Sequence, residues 1–267
     1  SRMLSETMVL ILGYVFGFYM SWNIGANDVA NSMASAVGAK AITIRQAVFI
    51  AGILNCVGAT FIGSHVTNTI RKGIVSTEVL ADPHLALVGA FSALLAAALW
   101  VSFATWKSLP VSTTHSIVGA MVGFGIMAGG VTVINWGQLG AVAASWVVSP
   151  FFSLIIGWGM FKVIVRFVLR QAAAFQWAIR LSPLFIGMAV FIIVLSFLFK
   201  TPLGKSLSVN TPAAVAIGAA VAIVLGLIGQ YLLKRHVPDD DHGTEEVFRK
   251  IQIGTSCYVA LAQGAND

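Results

Sequence analysis

Long apolar stretches separated by short polar segments make up most of this chain. Seven of them, at 8–26, 47–64, 84–106, 116–134, 139–161, 183–199 and 212–233, approach the ~20 residues a helix needs to cross a bilayer. An eighth begins near Ile251 and runs to the last residue, Asp267. The apolarity is continuous within each stretch, without the alternation of a half-buried strand. The pattern predicts an all-α membrane protein, a polytopic helical bundle. Glycine is frequent, with 26 residues, as expected where membrane helices pack closely.

Composition supports this class. Hydrophobic residues form 58% of the chain and charged residues 10%, against about 25% charged in a soluble domain. The formal charge of +6 needs no nucleic acid to explain it, because the basic residues fall between apolar stretches. Cys56 and Cys257 are far apart in apolar surroundings, so no disulfide framework is expected. Ser1-Arg2-Met3 reads as a remnant before a native start, and the first stretch reads as a span, not a signal peptide.

Charge also orients the spans. Residues 162–180 carry Lys162, Arg166, Arg170 and Arg180 with no acid, and read as cytoplasmic. Counting back puts the N-terminus outside and Lys40 and Arg45 inside, as the positive-inside rule requires. Arg71 and Lys72 fall outside, against the rule, with Glu78 and Asp82 close by. Residues 234–250 mix basic and acidic side chains and read as a cytoplasmic linker. The expected organisation is 1–233 for the first repeat and the spans after it, 234–250 for the linker, and 251–267 for the truncated start of a second repeat.

The tetrad Gly25-Ala26-Asn27-Asp28 recurs as Gly264-Ala265-Asn266-Asp267. An unpaired aspartate at a bilayer centre costs roughly 2.5–3.5 kcal/mol, so an intramembrane carboxylate is a functional-site hypothesis by default. The first copy lies in a helix expected to start outside, the second in one expected to start inside. That is an inverted-topology repeat, a plan common among secondary transporters. Around the first copy, Asn27, Asp28, Asn31, Ser32 and Ser35 share one helical face. A carboxylate, carboxamide oxygens and backbone carbonyls freed near a glycine are hard ligands suited to Na⁺. The bland alternative is a polar stripe that only joins helices.

A second constellation is Pro110-Val111-Ser112-Thr113-Thr114-His115-Ser116. Proline ends a preceding helix, and Ser112, Thr113 and Thr114 suit the N-cap and first turn of the next. The N–H groups and hydroxyls of such a helix start form an anion site. The alternative is an ordinary capped helix start.

Together, Gly25-Ala26-Asn27-Asp28-Val29-Ala30-Asn31-Ser32, Thr69-Ile70-Arg71-Lys72-Gly73-Ile74, the Pro-Val-Ser-Thr-Thr-His-Ser run and the repeated tetrad resemble the PiT family of inorganic phosphate transporters. The resemblance implies two inverted repeats with broken helices, and phosphate transport coupled to Na⁺ or H⁺. By that likeness Asn27, Asp28, Asn266 and Asp267 bind cations, with Asn31 and Ser32 beside them. Ser112, Thr113 and Thr114 bind phosphate, and Gln263 is a further phosphate candidate. It also implies that residues 84–134 form a re-entrant hairpin with its tip near Ser112, in place of two full spans. The chain departs from the family in having Asn55 where many members carry Glu, and in ending before a second Ser-Thr-Thr pair.

The expected function is therefore secondary active transport of phosphate by alternating access, coupled to Na⁺. The expectation includes no enzyme activity, no cofactor beyond co-transported Na⁺, and a cell-membrane location. Expected partners are phosphate, Na⁺ (or H⁺), the bilayer and the rest of the second repeat, with a homo-oligomer left open. An H⁺-coupled or sulfate transporter is the near alternative; sulfate lacks the P–OH that could donate to a carboxylate. An intramembrane hydrolase using Ser112, His115 and Asp28 leaves the duplicated Asn-Asp unexplained.

The inverted repeat requires an odd number of crossings between the N-terminus and 234–250. Single cysteines placed in each should react with an impermeant maleimide from opposite sides of the membrane. Labelling of both from one side would rule the inversion out.

Overall fold

The computed structural model describes residues 6–61, 73–200, 202–240 and 242–266. His65 and Arg71-Lys72, read above for topology, lie outside the described residues, as does Asp267. The described chain is helical apart from connections and one isolated antiparallel bridge, Val75 to Ile134. In order the helices are α1 (Glu6–Gly38), α2 (Ile44–Phe61), α3 (Thr77–Ala81), α4 (Pro83–Trp106), α5 (Thr113–Gly129), α6 (Trp136–Ile164), α7 (Ala174–Lys200), α8 (Pro202–Ser206), α9 (Thr211–His236) and α10 (Gly243–Asn266). Helix α6 continues as a π-helical turn over Val165–Leu169. Among the described residues, α1, α2, α4, α6 with its π turn, α7 and α9 are each long and apolar enough to cross a membrane, and the chain is an integral membrane protein.

Several boundaries differ from the expected ones for physical reasons. Helix α1 continues 12 residues past position 26, to Gly38 (38 − 26). The polar stripe lowers its hydropathy without interrupting its backbone bonds. Pro183 lies inside α7, and Pro150 inside α6, so neither marks a helix start. Lys234 to His236 complete α9, and Glu245 to Lys250 open α10 with ion pairs from Arg249 and Lys250 to Glu245 and Glu246. The non-helical part of the 234–250 segment is thus 237–242.

The chain forms two compact units. The first comprises 1–31, 66–145 and 267; the second comprises 32–65 and 146–266. In the first, α4 and α5 form a helical hairpin. Its two ends are stitched by Ser76 N–H to Val133 O at 2.8 Å and Asn135 N–H to Ile74 O at 3.0 Å. Along α4, Gly89, Ala93 and Ala97 recur every fourth residue and are buried. Met20 of α1 packs against Ala97, Ala98 and Val101 there.

The second unit rests on two close helix pairs. On α9, Ala214, Gly218, Ala222 and Gly226 make a buried stripe of small residues at four-residue spacing. A Cβ on Gly226 would lie 2.7 Å from the Pro183 carbonyl of α7. Helices α2 and α10 also touch backbone to backbone. A Cβ on Gly58 would run into the Leu261 carbonyl and sit 2.9 Å from the Ala265 nitrogen, and one on Gly264 would strike the Asn55 backbone. In lipid no hydrophobic difference drives helices together, so close van der Waals contact through small residues must hold them.

Gly58→Ala should therefore destabilise the protein by about 1–3 kcal/mol through overpacking. Gly254→Ala, on the same helix pair with nothing within 4 Å of the added methyl, should be neutral or slightly stabilising. Thermal melting in detergent checks both; equal melting temperatures would show that α2 and α10 can part freely.

Candidate functional site

The connection between α4 and α5 sets the geometry of the first site. Helix α4 closes with Ser108 N–H to Thr105 O at 2.9 Å and Leu109 N–H to Ala104 O at 2.8 Å. Ser108 has φ 57°. This is the left-handed helix end usually given to glycine. Pro110 follows and cannot donate. Helix α5 then begins at Thr113, with Ser112 as N-cap, its Oγ accepting from His115 N–H at 3.2 Å.

Residues 109–111 leave backbone groups outside any helix, and Asn27 of α1 supplies their partners. Its Nδ2 donates to Leu109 O at 3.2 Å and to Thr105 Oγ1 at 2.9 Å. Its Oδ1 accepts from Val111 N–H at 3.2 Å. Both amide hydrogens are thereby used, leaving one lone pair on Oδ1. One turn earlier, Asn23 Oδ1 accepts from Ser102 Oγ at 2.7 Å, while Asn23 Nδ2 donates to Tyr19 O at 2.9 Å. Because the Ser102 hydrogen is committed to Asn23, the 2.6 Å contact between Tyr19 and Ser102 must have Tyr19 as donor.

Asp28, the next residue, is 3% exposed, and Asn31 Nδ2 donates to its Oδ1 at 3.1 Å. Ser32 is buried and Asn31 exposed. Helix α1 is continuous through Gly25 to Asp28, so the freed carbonyls expected there are not present; the helix break falls at 107–112 instead. The reason is local: Gly25 is followed by residues with satisfied helical geometry, whereas Pro110 cannot continue a helix.

The hydroxyl series divides by direction. Thr113 is 2% exposed, Thr114 is half-buried, and Ser112 is exposed. Ser112 lines a cleft of about 520 Å³ between α4 and α5, together with Trp100, His115 and Ser116. Ser116 Oγ donates back to Ser112 O at 2.8 Å.

In the second unit, the repeated tetrad occupies the end of α10, with Asn266 as its last helical residue. Gln263 and Asn55 flank the crossing where Gly264 meets the Asn55 backbone. Each has a buried carboxamide oxygen, Gln263 Oε1 and Asn55 Oδ1, without a hydrogen-bond partner. Deeper into the helix, Gln252 Nε2 donates to Ser35 Oγ at 2.8 Å, and Arg249 Nε to Ala39 O at 2.9 Å.

Asn27, Asp28 and Asn31 thus lie with the 105–113 segment in one unit, and Gln263 lies with Asn55 in the other. Sequence reasoning missed Tyr19, Asn23, Ser102 and Thr105. Their signal was available: Asn23 sits four residues before Asn27, and Ser102 and Thr105 lie three apart in an otherwise apolar stretch.

Truncating Asn27 leaves Leu109 O and Val111 N–H without partners, at about 1–3 kcal/mol for each buried group. Asn27→Ala should lower the melting temperature well below that of Asp28→Asn, which preserves shape. Equal stability of the two variants would remove Asn27 from its role at the hairpin tip.

Comparison with known proteins agrees with this arrangement. Residues 24–267 match the phosphate transporter family. The chain is 45% identical over 260 residues to a phosphate permease of Pyrococcus abyssi, covering 97% of this chain and 64% of that protein. It is 38% identical over 281 residues to the chloroplastic inorganic phosphate transporter 2-1 of Arabidopsis thaliana, covering 95% and 47%. A solved structure of a sodium-dependent phosphate transporter matches with a TM-score of 0.87 at 42% identity, over 97% of this chain and 64% of that one. The chain therefore spans just under two-thirds of the length of the Pyrococcus relative and of that structure. Both the site geometry and these matches lead to the same place: this chain belongs to the phosphate transporter family.

Proposed function

We propose that this chain supplies the first repeat, and the start of the second, of a secondary active transporter that carries inorganic phosphate with Na⁺ by alternating access. The family is one of transporters, not enzymes, and the solved relative bears the name sodium-dependent phosphate transporter. The observation that carries the reading is Asp28: a buried carboxylate on a 33-residue apolar helix, next to the amide that holds the hairpin tip.

The tip lies short of the end of α1. From Asn27 to Gly38 is 11 residues (38 − 27), about 16 Å at 1.5 Å per residue. Helix α5, at 17 residues, spans about 25 Å, less than a hydrocarbon core of about 30 Å. Both lengths support a re-entrant hairpin whose tip stays within the membrane. With the hairpin returning to its own side, α1, α2, α6, α7 and α9 are the crossings before 237–242. That odd number supports the inverted repeat.

Each group has a role in this reading. The start of α5 offers its first N–H groups, its dipole and the hydroxyls of Ser112, Thr113 and Thr114 to phosphate. Ser112 Oγ accepts from the backbone of His115, so its own hydrogen can donate to an anion. Asp28 supplies the negative charge for a cation, with Asn31 and Ser32 beside it and the remaining lone pair of Asn27. Asn266 and Asp267 serve a second cation. The oxygens of Asn55 and Gln263 are acceptors, and acceptors recruit cations. That favours the cation side for Gln263 over the phosphate role its sequence position suggested. Two cations beside a dianion also offset the cost of holding phosphate near carboxylates in a low-dielectric site. The P–OH of phosphate can donate to a carboxylate, which sulfate cannot do. The membrane concerned is the cell membrane.

The test is uptake by the full-length protein in proteoliposomes at fixed pH. Replacing Na⁺ with K⁺ or choline should reduce phosphate uptake to background, and Asp28→Asn should abolish Na⁺-driven uptake while the protein remains folded. Full uptake without Na⁺, driven by a pH gradient alone, would sink the sodium assignment and make Asp28 a proton carrier.

A further inference from the structure

A cavity of about 670 Å³ opens where the start of α7 lies beside the end of α9, away from every residue assigned above. Arg180 and Lys234 line it, one from each helix, with Trp177, Tyr231, Leu227 and Asp239. Among the described residues, the ion pairs all belong to Arg249 and Lys250, so neither Arg180 nor Lys234 is held by a carboxylate. The Arg180 guanidinium stands over the Trp177 ring at 5.4 Å. Gln230 Nε2 donates to Ile179 O at 3.0 Å, which ties the two helices together beside the cavity.

Depth along α9 separates charge from apolarity. Lys234 is in the last turn, and Leu227 is seven residues earlier (234 − 227), about 10 Å toward the middle of the helix. Val168 packs against Ala178, Ile179 and Leu233, so Arg166 and Arg170, on either side of Val168, belong to the same end. Arg235 adds a further cation there. Asp239 is the one acid lining the cavity, so its charge balance is positive. Basic loops alone would satisfy the positive-inside rule and need no ligand. Two unpaired cations from different helices, converging on one concavity with an aromatic pair and an apolar wall below, are a more specific arrangement. A ligand that fits has an anionic head and a hydrocarbon tail.

We propose that this cavity binds the headgroup of an anionic phospholipid, with Arg180 and Lys234 on its phosphate and an acyl chain along Leu227. Basic pockets between membrane helices on the cytoplasmic side recognise such headgroups electrostatically, and Trp and Tyr favour the headgroup level. A free phosphate ion would use the two cations but would gain nothing from the apolar wall. This proposal rests on the protein being in a membrane and not on its transport activity.

The experiment is titration of the delipidated full-length protein with phosphatidylglycerol and with phosphatidylcholine of the same chains, read by native mass spectrometry. Phosphatidylglycerol should bind the wild type preferentially. The pair Arg180→Gln with Lys234→Gln should weaken it about tenfold and leave phosphatidylcholine unchanged. The charge-preserving pair Arg180→Lys with Lys234→Arg should retain binding, as should Lys162→Gln with Lys205→Gln, which removes equal charge elsewhere. Unaltered phosphatidylglycerol binding by the glutamine pair, or equal wild-type affinity for both lipids, overturns the proposal. So does displacement of the lipid by millimolar inorganic phosphate, which would make the cavity a free-anion site. Arg180→Gln alone, expected to lose part of the preference, decides the matter if the double variant does not fold.

Discussion

Backbone that leaves helical geometry inside a membrane has no water to turn to, so each freed N–H and C=O must find a partner in the protein. Residues 107–112 meet that demand with few parts. The left-handed turn at Ser108 closes the end of α4, and Ser112 caps α5. Asn27 takes what remains, Leu109 O and Val111 N–H. A carboxamide suits this task because it donates and accepts at once; a carboxylate in that place could accept from Val111 but would repel the Leu109 carbonyl. The tip is thereby fixed against α1 at a defined height. The buried carboxylate of Asp28 is the adjacent residue, about 100° further around the helix. Division of labour between the two residues follows from that: the amide holds the hairpin, and the charge stays available to the ligand chemistry.

The small residues make such polar contacts reachable. A side chain as short as Asn spans a helix interface only when the backbones approach closely. On α4, Ala97, Ala98, Val101 and Ala104 keep the surface facing α1 low, so that Tyr19, Asn23 and Asn27 can meet Ser102 and Thr105. Gly58 and Gly264 do the same for α2 and α10, where Asn55 and Gln263 flank the crossing. Small side chains give little apolar stabilisation individually, and in lipid they need not. Their value lies in dispersion contact between backbones and in the distances they set for neighbouring polar groups.

How much of this was legible in the sequence depends on range. Helices showed as uninterrupted apolarity, and the cap at Ser112 showed because proline followed by hydroxyls is a local signal. The ends of α1 and α10 did not show, because polar residues inside a helix look like a boundary when only hydropathy is read. The same polar residues that lowered the hydropathy of α1 after position 26 are the ones packed inward, as the burial of Asn27, Asp28 and Ser32 shows. The task of Asn27 was not legible at all. Its partners lie 78 to 84 positions away, and nothing local distinguishes an amide that ligates a cation from one that holds a turn.

A carrier that works by alternating access must also cross the membrane empty, and this constrains what its site can be made of. A buried carboxylate without its cation bears the whole desolvation cost of the charge, whereas a carboxamide oxygen bears the smaller cost of an unmatched dipole. Asn55 stands where many relatives carry glutamate, and its oxygen is buried beside that of Gln263 without a partner. On the proposed reading, the site keeps an oxygen acceptor at that position and gives up one negative charge. Cation binding then leans more heavily on the two aspartates of the repeated tetrad, and the unloaded state becomes less costly to reach. A glutamate at position 55 would shift that balance the other way, deepening the cation-loaded state at the expense of the empty one.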